Sequence, residues 1–403
     1  MEVGKDMEDK DNFFDDYGLR RIVNASGTMT ALGASPVKDE VIAEMERVLP
    51  RWVEIDELQK RTGEVISEAT GAEAGFVTAC AAAGITLSVA ACMTGKDLGN
   101  IQQLPNAEGM KDEVIIQKGH AVNYGATINQ GIRLAGAKPV EFGSVSGTSS
   151  LEMKGAIKEQ TAAAMFVVSH HTVQYGMIPF DQFVDIAHDH DLPVIVDAAA
   201  EYSFSDYIRG GGDLVTCSGH KFLFGPTAGL LAGKRELIDA CRLQETGIGR
   251  TMKVGKEGMV GLIAALRVWD KRDLESEHTV TLNKARKVIG RLEKVKGIRP
   301  EAVEDPTGNP ITRVQVNVEP DEAGLDAFIV SSELRKNSPP IHTRAHHTDE
   351  GYFQLELRFL DSEQLDSVCE KIEEIFKTGE KAKGELRDKY SPRTSVWDSM
   401  HRK

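Results

Sequence analysis

The chain has 403 residues, enough for two domains sharing one active-site region, and its 41% hydrophobic and 27% charged residues are ordinary for a soluble globular protein. A formal net charge of −14 argues against broad nucleic-acid binding, which needs basic surface to replace phosphate counterions. No apolar stretch approaches a membrane span, residues Met1 to Tyr17 lack the apolar core of a secretory signal, and the five cysteines (Cys80, Cys92, Cys217, Cys241, Cys369) are scattered without a C-x-x-C; the expectation is a cytoplasmic protein with reduced thiols and no metal site.

Residues 1–36 read as an N-terminal arm, flexible over its first twenty residues. Val37 to Leu49 carries apolar residues at Val37, Val41, Ile42, Met45, Val48 and Leu49, a helical period with Pro36 at its first turn. Asp56 to Ala69 reads as a second helix. From residue 75 to about 235, β-branched runs (Val114-Ile115-Ile116, Met165-Phe166-Val167-Val168, Val194-Ile195-Val196, Leu214-Val215) alternate with helical stretches such as Phe180 to His188, which predicts an α/β domain over 37–257 with a mainly parallel, buried sheet. Residues 258–403 follow as a connector helix (Gly258 to Leu292), a smaller C-terminal α+β domain and a charged tail from Lys377 that reaches outward. In that domain Ile311 to Val318 and Tyr352 to Phe359 alternate with period two, Leu325 to Leu334 is helical, and Leu365, Val368, Cys369, Ile372, Ile375 and Phe376 form a helical stripe.

Two residues fall at the ends of neighbouring buried runs. Pro193-Val194-Ile195-Val196 ends on Asp197, and Asp213-Leu214-Val215-Thr216-Cys217 leads into Ser218-Gly219-His220-Lys221. Ligands of such sheets sit at the carboxyl ends of the strands. An acid closing one strand and a lysine just beyond the next suit pyridoxal 5'-phosphate: the amine condenses with the cofactor aldehyde, and the carboxylate pairs with the protonated pyridine nitrogen. A surface lysine in a turn is the bland alternative for Lys221, and a helix cap for Asp197. Ser218 would offer its hydroxyl to the cofactor phosphate. Cys80, Ala81 and Ala82, in the small-residue run Thr78 to Gly84 that opens an apolar helix, would leave backbone N–H groups for that anion. No Walker lysine accompanies the run.

His120, just past the strand Val114 to Gln117, is a candidate to cover the cofactor ring, with a capping or solvent-facing histidine as the competing account. One of His170, His171 and Gln174 would face the ring or the substrate, against a histidine pair in a solvated loop. The spacing of His342, His346 and His347 matches no metal motif. Arg344 and Arg358 are candidates to clamp a substrate carboxylate, or else ordinary ion pairs.

The segments Arg21 to Thr28, Gly71 to Ala74 leading into the Cys80 helix, Val196 to Glu201, Asp213 to Gly229 and Arg250 to Lys256 resemble the selenocysteine-synthase-like group of pyridoxal phosphate enzymes, over about residues 18–376. That resemblance implies the fold type I transferase architecture, a homodimer or higher homo-oligomer, and active sites at subunit interfaces. The chain departs from the group at His220, where glycine or aspartate is usual, and at Pro226-Thr227, where Pro-Gln is usual; both flank the cofactor and leave room for a different substrate. The acidic chain has only a short N-terminal extension, which disfavours the tRNA-dependent selenium transferase branch. The expected activity is a lyase that eliminates water and ammonia from a small 2-amino-3-hydroxy acid, an amino sugar acid such as D-glucosaminate 6-phosphate, to give a 2-keto acid. In this reading Lys221 removes the Cα proton, His171 or His220 is the general acid, and Arg358 holds the carboxylate. An amino-acid racemase or aminotransferase on the same lysine stays open.

Overall fold

The computed structural model describes residues 13–391; residues 1–12 of the expected arm and 392–403 of the expected tail lie outside the described residues. They form two compact units, Ala34–Arg272 and residues 13–33 with 273–391. Strand β1 (Val23–Ala25) belongs to the second of these.

The unit 34–272 is built on β2 (Ala74–Thr78), β3 (Glu113–Gln117), β4 (Lys138–Phe142), β5 (Thr161–Val167), β6 (Val194–Asp197), β7 (Leu214–Ser218) and β8 (Gly229–Gly233). Their order in the sheet is β2-β8-β7-β6-β5-β3-β4. The pairs from β7 through β6, β5 and β3 to β4 are parallel, and β8 runs antiparallel to both β2 and β7. The β-branched runs behave as expected of strands buried on both faces. In β5, Ala164 and Phe166 enter one apolar layer with Val194 and Val196 of β6, while Ala163, Met165 and Val167 enter the opposite layer with Ile195. Helices Ile55–Thr70 and Lys256–Trp269 supply the first layer; Ala81–Thr94 and Ile128–Leu134 supply the second. Among the described residues no helix is long and apolar enough to cross a membrane.

The other unit holds the parallel pair of β1 with β11 (Ile341–Thr343) and an antiparallel sheet of β9 (Ile298–Glu304), β10 (Thr312–Val318) and β12 (Tyr352–Glu356), in the order β12-β10-β9. Helices Leu274–Leu292, Ala327–Lys336 and Ser362–Lys377 bury their stripes against it, with Val314, Val316, Phe353, Leu355, Val368 and Ile372 in the core. Asp361 and Gln364 close a capping box at the start of Ser362–Lys377.

The division differs from boundaries at 36/37 and 257/258. The reason at the first is backbone pairing: the apolar run at Val23 finds a strand partner in β11, so this part of the arm joins the C-terminal unit. At the second, the stretch expected as one connector is two helices in different units, Lys256–Trp269 and Leu274–Leu292. Asp273 starts the latter by accepting the N–H of Ser276 at 3.0 Å. The tail does not reach outward over its described part. It folds into helix Glu380–Lys389, where Arg387 donates to the Gly324 carbonyl at 2.7 Å and Lys389 pairs with Glu333 at 2.8 Å.

Candidate active site

Asp197 is the last residue of β6 and Ser218 the last of β7, 5% and 3% exposed. The parallel register sets Asp197 beside Thr216, so the two strand ends are neighbours. The Asp197 carboxylate accepts the Ala199 N–H at 3.1 Å. Burial pushes its pKa up to about 6, against the opposing pull of the Lys221 charge and the Ala199 N–H. Lys221 and Asp197 therefore share one electrostatic neighbourhood.

The loop carrying Lys221 is held at several points. Gly219 donates to Ala228 at 2.7 Å, Gly225 donates to Gly219 at 2.9 Å, Ser35 Oγ donates to the His220 carbonyl at 2.8 Å, and Lys38 donates to the Phe224 carbonyl at 3.1 Å. Phe224 itself has φ +54°, a left-handed conformation that costs energy outside glycine and is kept by these bonds. A Cβ on Gly225 would lie 2.9 Å from that of Ala265, so only glycine lets the loop close. Phe222 packs against Tyr202 and Trp269, with ring centroids 4.9 and 5.0 Å apart, and the Arg272 guanidinium lies over Phe224 and Trp269 at 4.6 and 4.8 Å.

His220 sits between Ser218 and Lys221 in this loop. Its Nδ1 is buried without a hydrogen-bond partner. Burial, and then the Lys221 charge, lower its pKa, so the ring is neutral at physiological pH. An orphaned buried nitrogen beside a lysine is what a site missing a polar ligand would show.

Helix Ala81–Thr94 begins against the same strands. Thr216 Oγ1 donates to the Ala81 carbonyl at 3.4 Å, and a Cβ on Gly84 would come within 2.3 Å of that hydroxyl oxygen. A Cβ on Gly229 would come within 2.4 Å of Cys80. These glycines let the helix start press onto β7 and β8. Cys80 is the N-cap, its Sγ accepting the Ala83 N–H at 3.4 Å; Ala81 and Ala82 are the first helical residues.

His120 is buried, not solvent-facing. Its Nδ1 accepts the Val167 N–H at 3.1 Å, Gln117 Nε2 approaches its Nε2 at 3.1 Å, and its ring meets Phe166 edge-on at 4.5 Å. Burial lowers its pKa to about 4. It ties the carboxyl ends of β3 and β5 together. His170 and His171 lie in the loop after β5 with ring centroids 3.9 Å apart, His171 exposed. Gln174 turns its amide back onto that loop, donating to the Ser169 and Thr172 carbonyls at 2.9 and 2.7 Å; bracing the loop is its visible work.

Arg344 and Arg358 belong to the other unit. Arg358 follows β12 and is not inside it, because that strand ends at Glu356. Its guanidinium pairs with the buried Glu356 carboxylate, Nε reaching the two oxygens at 3.0 and 2.9 Å. Arg344 is buried, donates to the Ser26 carbonyl at 3.2 Å, and has its pKa lowered to about 10 by burial and by Arg313. These are buried contacts, unlike surface ion pairs. His347 pairs with Glu350 at 2.8 Å and stacks on Tyr352.

Sequence reasoning missed two groups. Tyr124, in the loop after His120, lies within electrostatic reach of both Asp197 and Cys80. Glu201, 1% exposed, acts on Cys217 together with Lys221 and Asp197. A lone aromatic in a glycine-flanked turn and one acid after three alanines carry no periodic signal.

Comparison with known proteins places this geometry. The family described as L-seryl-tRNA selenium transferase matches residues 22–323. D-glucosaminate-6-phosphate ammonia lyase of Salmonella typhimurium (strain 14028s / SGSC 2262) is 38% identical over 364 residues, 90% of this chain and 98% of the relative. A 5'-C-glycyluridine monooxygenase-decarboxylase of Streptomyces sp is 36% identical over 361 residues, 89% of this chain and 90% of the relative. A solved structure of D-glucosaminate-6-phosphate ammonia-lyase superposes with a TM-score of 0.82 at 38% identity, over 91% of this chain and 98% of that one. The aspartate aminotransferase of Thermus thermophilus shares the fold alone, with a TM-score of 0.56 at 16% identity over 90% of this chain and 94% of that one. The architecture is that of the fold type I pyridoxal phosphate enzymes.

Proposed function

We propose that this chain, which belongs to the L-seryl-tRNA selenium transferase family, is a carbon–nitrogen lyase that converts a small 2-amino-3-hydroxy acid of the amino sugar acid kind, such as D-glucosaminate 6-phosphate, into a 2-keto acid and ammonia. The observation that carries the reading is that the Lys221 charge acts on Asp197, one at the end of β6 and the other just beyond the end of the neighbouring β7, in a chain 38% identical to an ammonia lyase over 90% of its length.

The residues present fit pyridoxal phosphate. Lys221 supplies the amine, Asp197 a buried carboxylate under-compensated by its surroundings, the start of helix Ala81–Thr94 and Ser218 an anion site, and His220 a nitrogen without a partner. When bound, the cofactor supplies an electron sink for the charge left at Cα. The chain's own groups do the rest. Lys221 Nζ, released by the incoming substrate amine, accepts the Cα proton. Asp197 would hold a negative charge for the pyridinium nitrogen. The β-hydroxyl leaves with a proton as water, and His171 or His220 is assigned to deliver that proton. His171 is exposed, whereas burial and the Lys221 charge lower the pKa of His220. The water lost at Cβ is regained when the carbon–nitrogen bond hydrolyses, so the net release is ammonia. Arg358 and Arg344 are assigned to the substrate carboxylate, and His120 to the cofactor ring.

The same reading has the protein acting as a cytoplasmic homodimer or higher homo-oligomer without nucleic acid, in line with its net charge of −14. An ammonia-release screen over D- and L-hydroxyamino acids and amino sugar acids tests it. Ammonia without added keto-acid acceptor is expected; loss of optical rotation without ammonia would indicate a racemase, and dependence on an acceptor an aminotransferase. The 36% identity to a monooxygenase-decarboxylase supports a second reading, oxidative decarboxylation of a glycyl-nucleoside-like amino acid. Oxygen uptake with carbon dioxide release separates it from the lyase.

A further inference from the structure

We propose that Ser35 and Arg272 are positioning residues that clamp the backbone on either side of Lys221, an inference that rests on the cofactor reading above. The Lys221 amine stands on a flexible four-carbon stem, so its place is fixed only as well as the backbone beneath it. That backbone has no strand ladder to hold it, because β7 ends at Ser218 and β8 begins at Gly229. Its carbonyls need partners from elsewhere, and they find them in succession. The Gly219 carbonyl accepts the Gly225 N–H at 2.9 Å, and the His220 carbonyl accepts the Ser35 hydroxyl at 2.8 Å. The Lys221 carbonyl accepts the Phe224 N–H at 3.4 Å, and the Phe222 carbonyl accepts Arg272 Nη1. The Phe224 carbonyl accepts the Lys38 N–H at 3.1 Å. Two of these donors are side chains, and they engage the carbonyls of the residues just before and just after Lys221.

The two side chains come from opposite ends of the unit 34–272. Ser35 lies 185 residues before His220, and Arg272 lies 50 residues after Phe222, so packing and not chain proximity brings them to the loop. Arg272 is itself held from several sides. Its guanidinium carbon lies 4.6 Å from the ring centroid of Phe224, 4.8 Å from that of Trp269 and 5.9 Å from that of Tyr202. A planar guanidinium can stack on these rings and still donate to a carbonyl, which a lysine ammonium cannot do in the same way. Phe222 locks the rings in turn, meeting Tyr202 and Trp269 at 4.9 and 5.0 Å. Phe224 keeps its left-handed φ of +54° under these restraints. Strain held by contacts from distant segments, three residues from the reactive lysine, marks a loop kept in one geometry for its chemistry.

The test uses full-length protein freed of cofactor: wild type, Ser35→Ala, Arg272→Lys and, as a control, Arg387→Lys. Arg387 also donates to a backbone carbonyl, that of Gly324 at 2.7 Å, but in the other unit. Pyridoxal 5'-phosphate is added, and its covalent capture is followed by absorbance; the lysine amine joins the aldehyde carbon and water is released. Borohydride then traps the adduct, and mass spectrometry locates it. Ser35→Ala should slow capture about fivefold and Arg272→Lys about tenfold, the scales of a neutral and a charge-assisted hydrogen bond. Arg387→Lys should capture at the wild-type rate. A wild-type rate in either Ser35→Ala or Arg272→Lys overturns the clamp, and so does equal slowing in Arg387→Lys, which would mark a general loss of structure. Wild-type protein in which nothing is trapped on Lys221 overturns the cofactor reading instead.

Discussion

Asp197 in the unit 34–272 and Glu356 in the other unit are both buried carboxylates, 5% and 0% exposed, and their acidities diverge. Burial pushes Asp197 up to about 6, and the Lys221 charge and one N–H only partly offset it. Burial works on Glu356 in the same direction, but the charge and hydrogen bonds of Arg358, with Arg313 behind them, hold it at about 2. Nearby, Asp305 and Arg313 form a second buried pair at 2.7 Å. In one unit the buried carboxylates of Glu356 and Asp305 are each matched by an arginine; the other has left a buried carboxylate under-compensated and an imidazole nitrogen unpartnered. A buried ion pair that is complete stabilises or holds a geometry, whereas an incomplete one prepares a place for a ligand of opposite charge.

The strongest test of this contrast is chemical. Lys221→Ala should remove the visible absorbance of bound cofactor and lower turnover on the order of 10⁴-fold; undiminished turnover would end the proposal. Next is Glu356→Gln. A folded-state pKa below the ordinary value means stability that is present above about pH 4.5 and lost as pH falls towards 2. The variant should therefore lose about 3 kcal/mol at neutral pH, read from urea unfolding, with the stranded Arg358 adding to the loss. Asp197→Asn should go the other way in cofactor-free protein. Its raised pKa means that ionisation costs stability as pH rises through the interval from 3.8 to about 6. Removing the charge should stabilise by up to about 3 kcal/mol at neutral pH while abolishing turnover. Loss of stability in both variants would dissolve the comparison. The smallest effect concerns His120, whose pKa of about 4 lies below the ordinary 6.5. Native protein binds fewer protons there than the unfolded chain, so this residue should cost about 2 kcal/mol between pH 7 and pH 5. In His120→Gln that share of the pH dependence should vanish from paired urea titrations.

Much of the first unit was legible because its strands are short β-branched runs buried on both faces, and because Asp197 and Ser218 end such runs with small residues after them. Antiparallel β8 was not, since Leu230-Leu231-Ala232 has the same composition whichever way it runs. The β1–β11 pair was hidden by its length of three residues. In the candidate site, Asp197 at the end of β6 and Lys221 just beyond β7 were legible as candidates because their places follow from the buried runs before them. Tyr124 was not, because its place beside Gly131 depends on how the loop after His120 folds. Arg358 shows the same limit: its residue type suggested a carboxylate partner, and only the structure put the Glu356 carboxylate beside it.

By itself the amino-acid order determined which runs become strands, that an acid ends one and a lysine follows the next, and that the helix start at Cys80 is bare of side-chain donors. These are local properties, set by periodicity and by covalent adjacency. The tertiary structure decided which buried charges are compensated and which are not, because compensation depends on partners such as Arg313, beside Glu356, that lie many residues away and approach only when the chain packs.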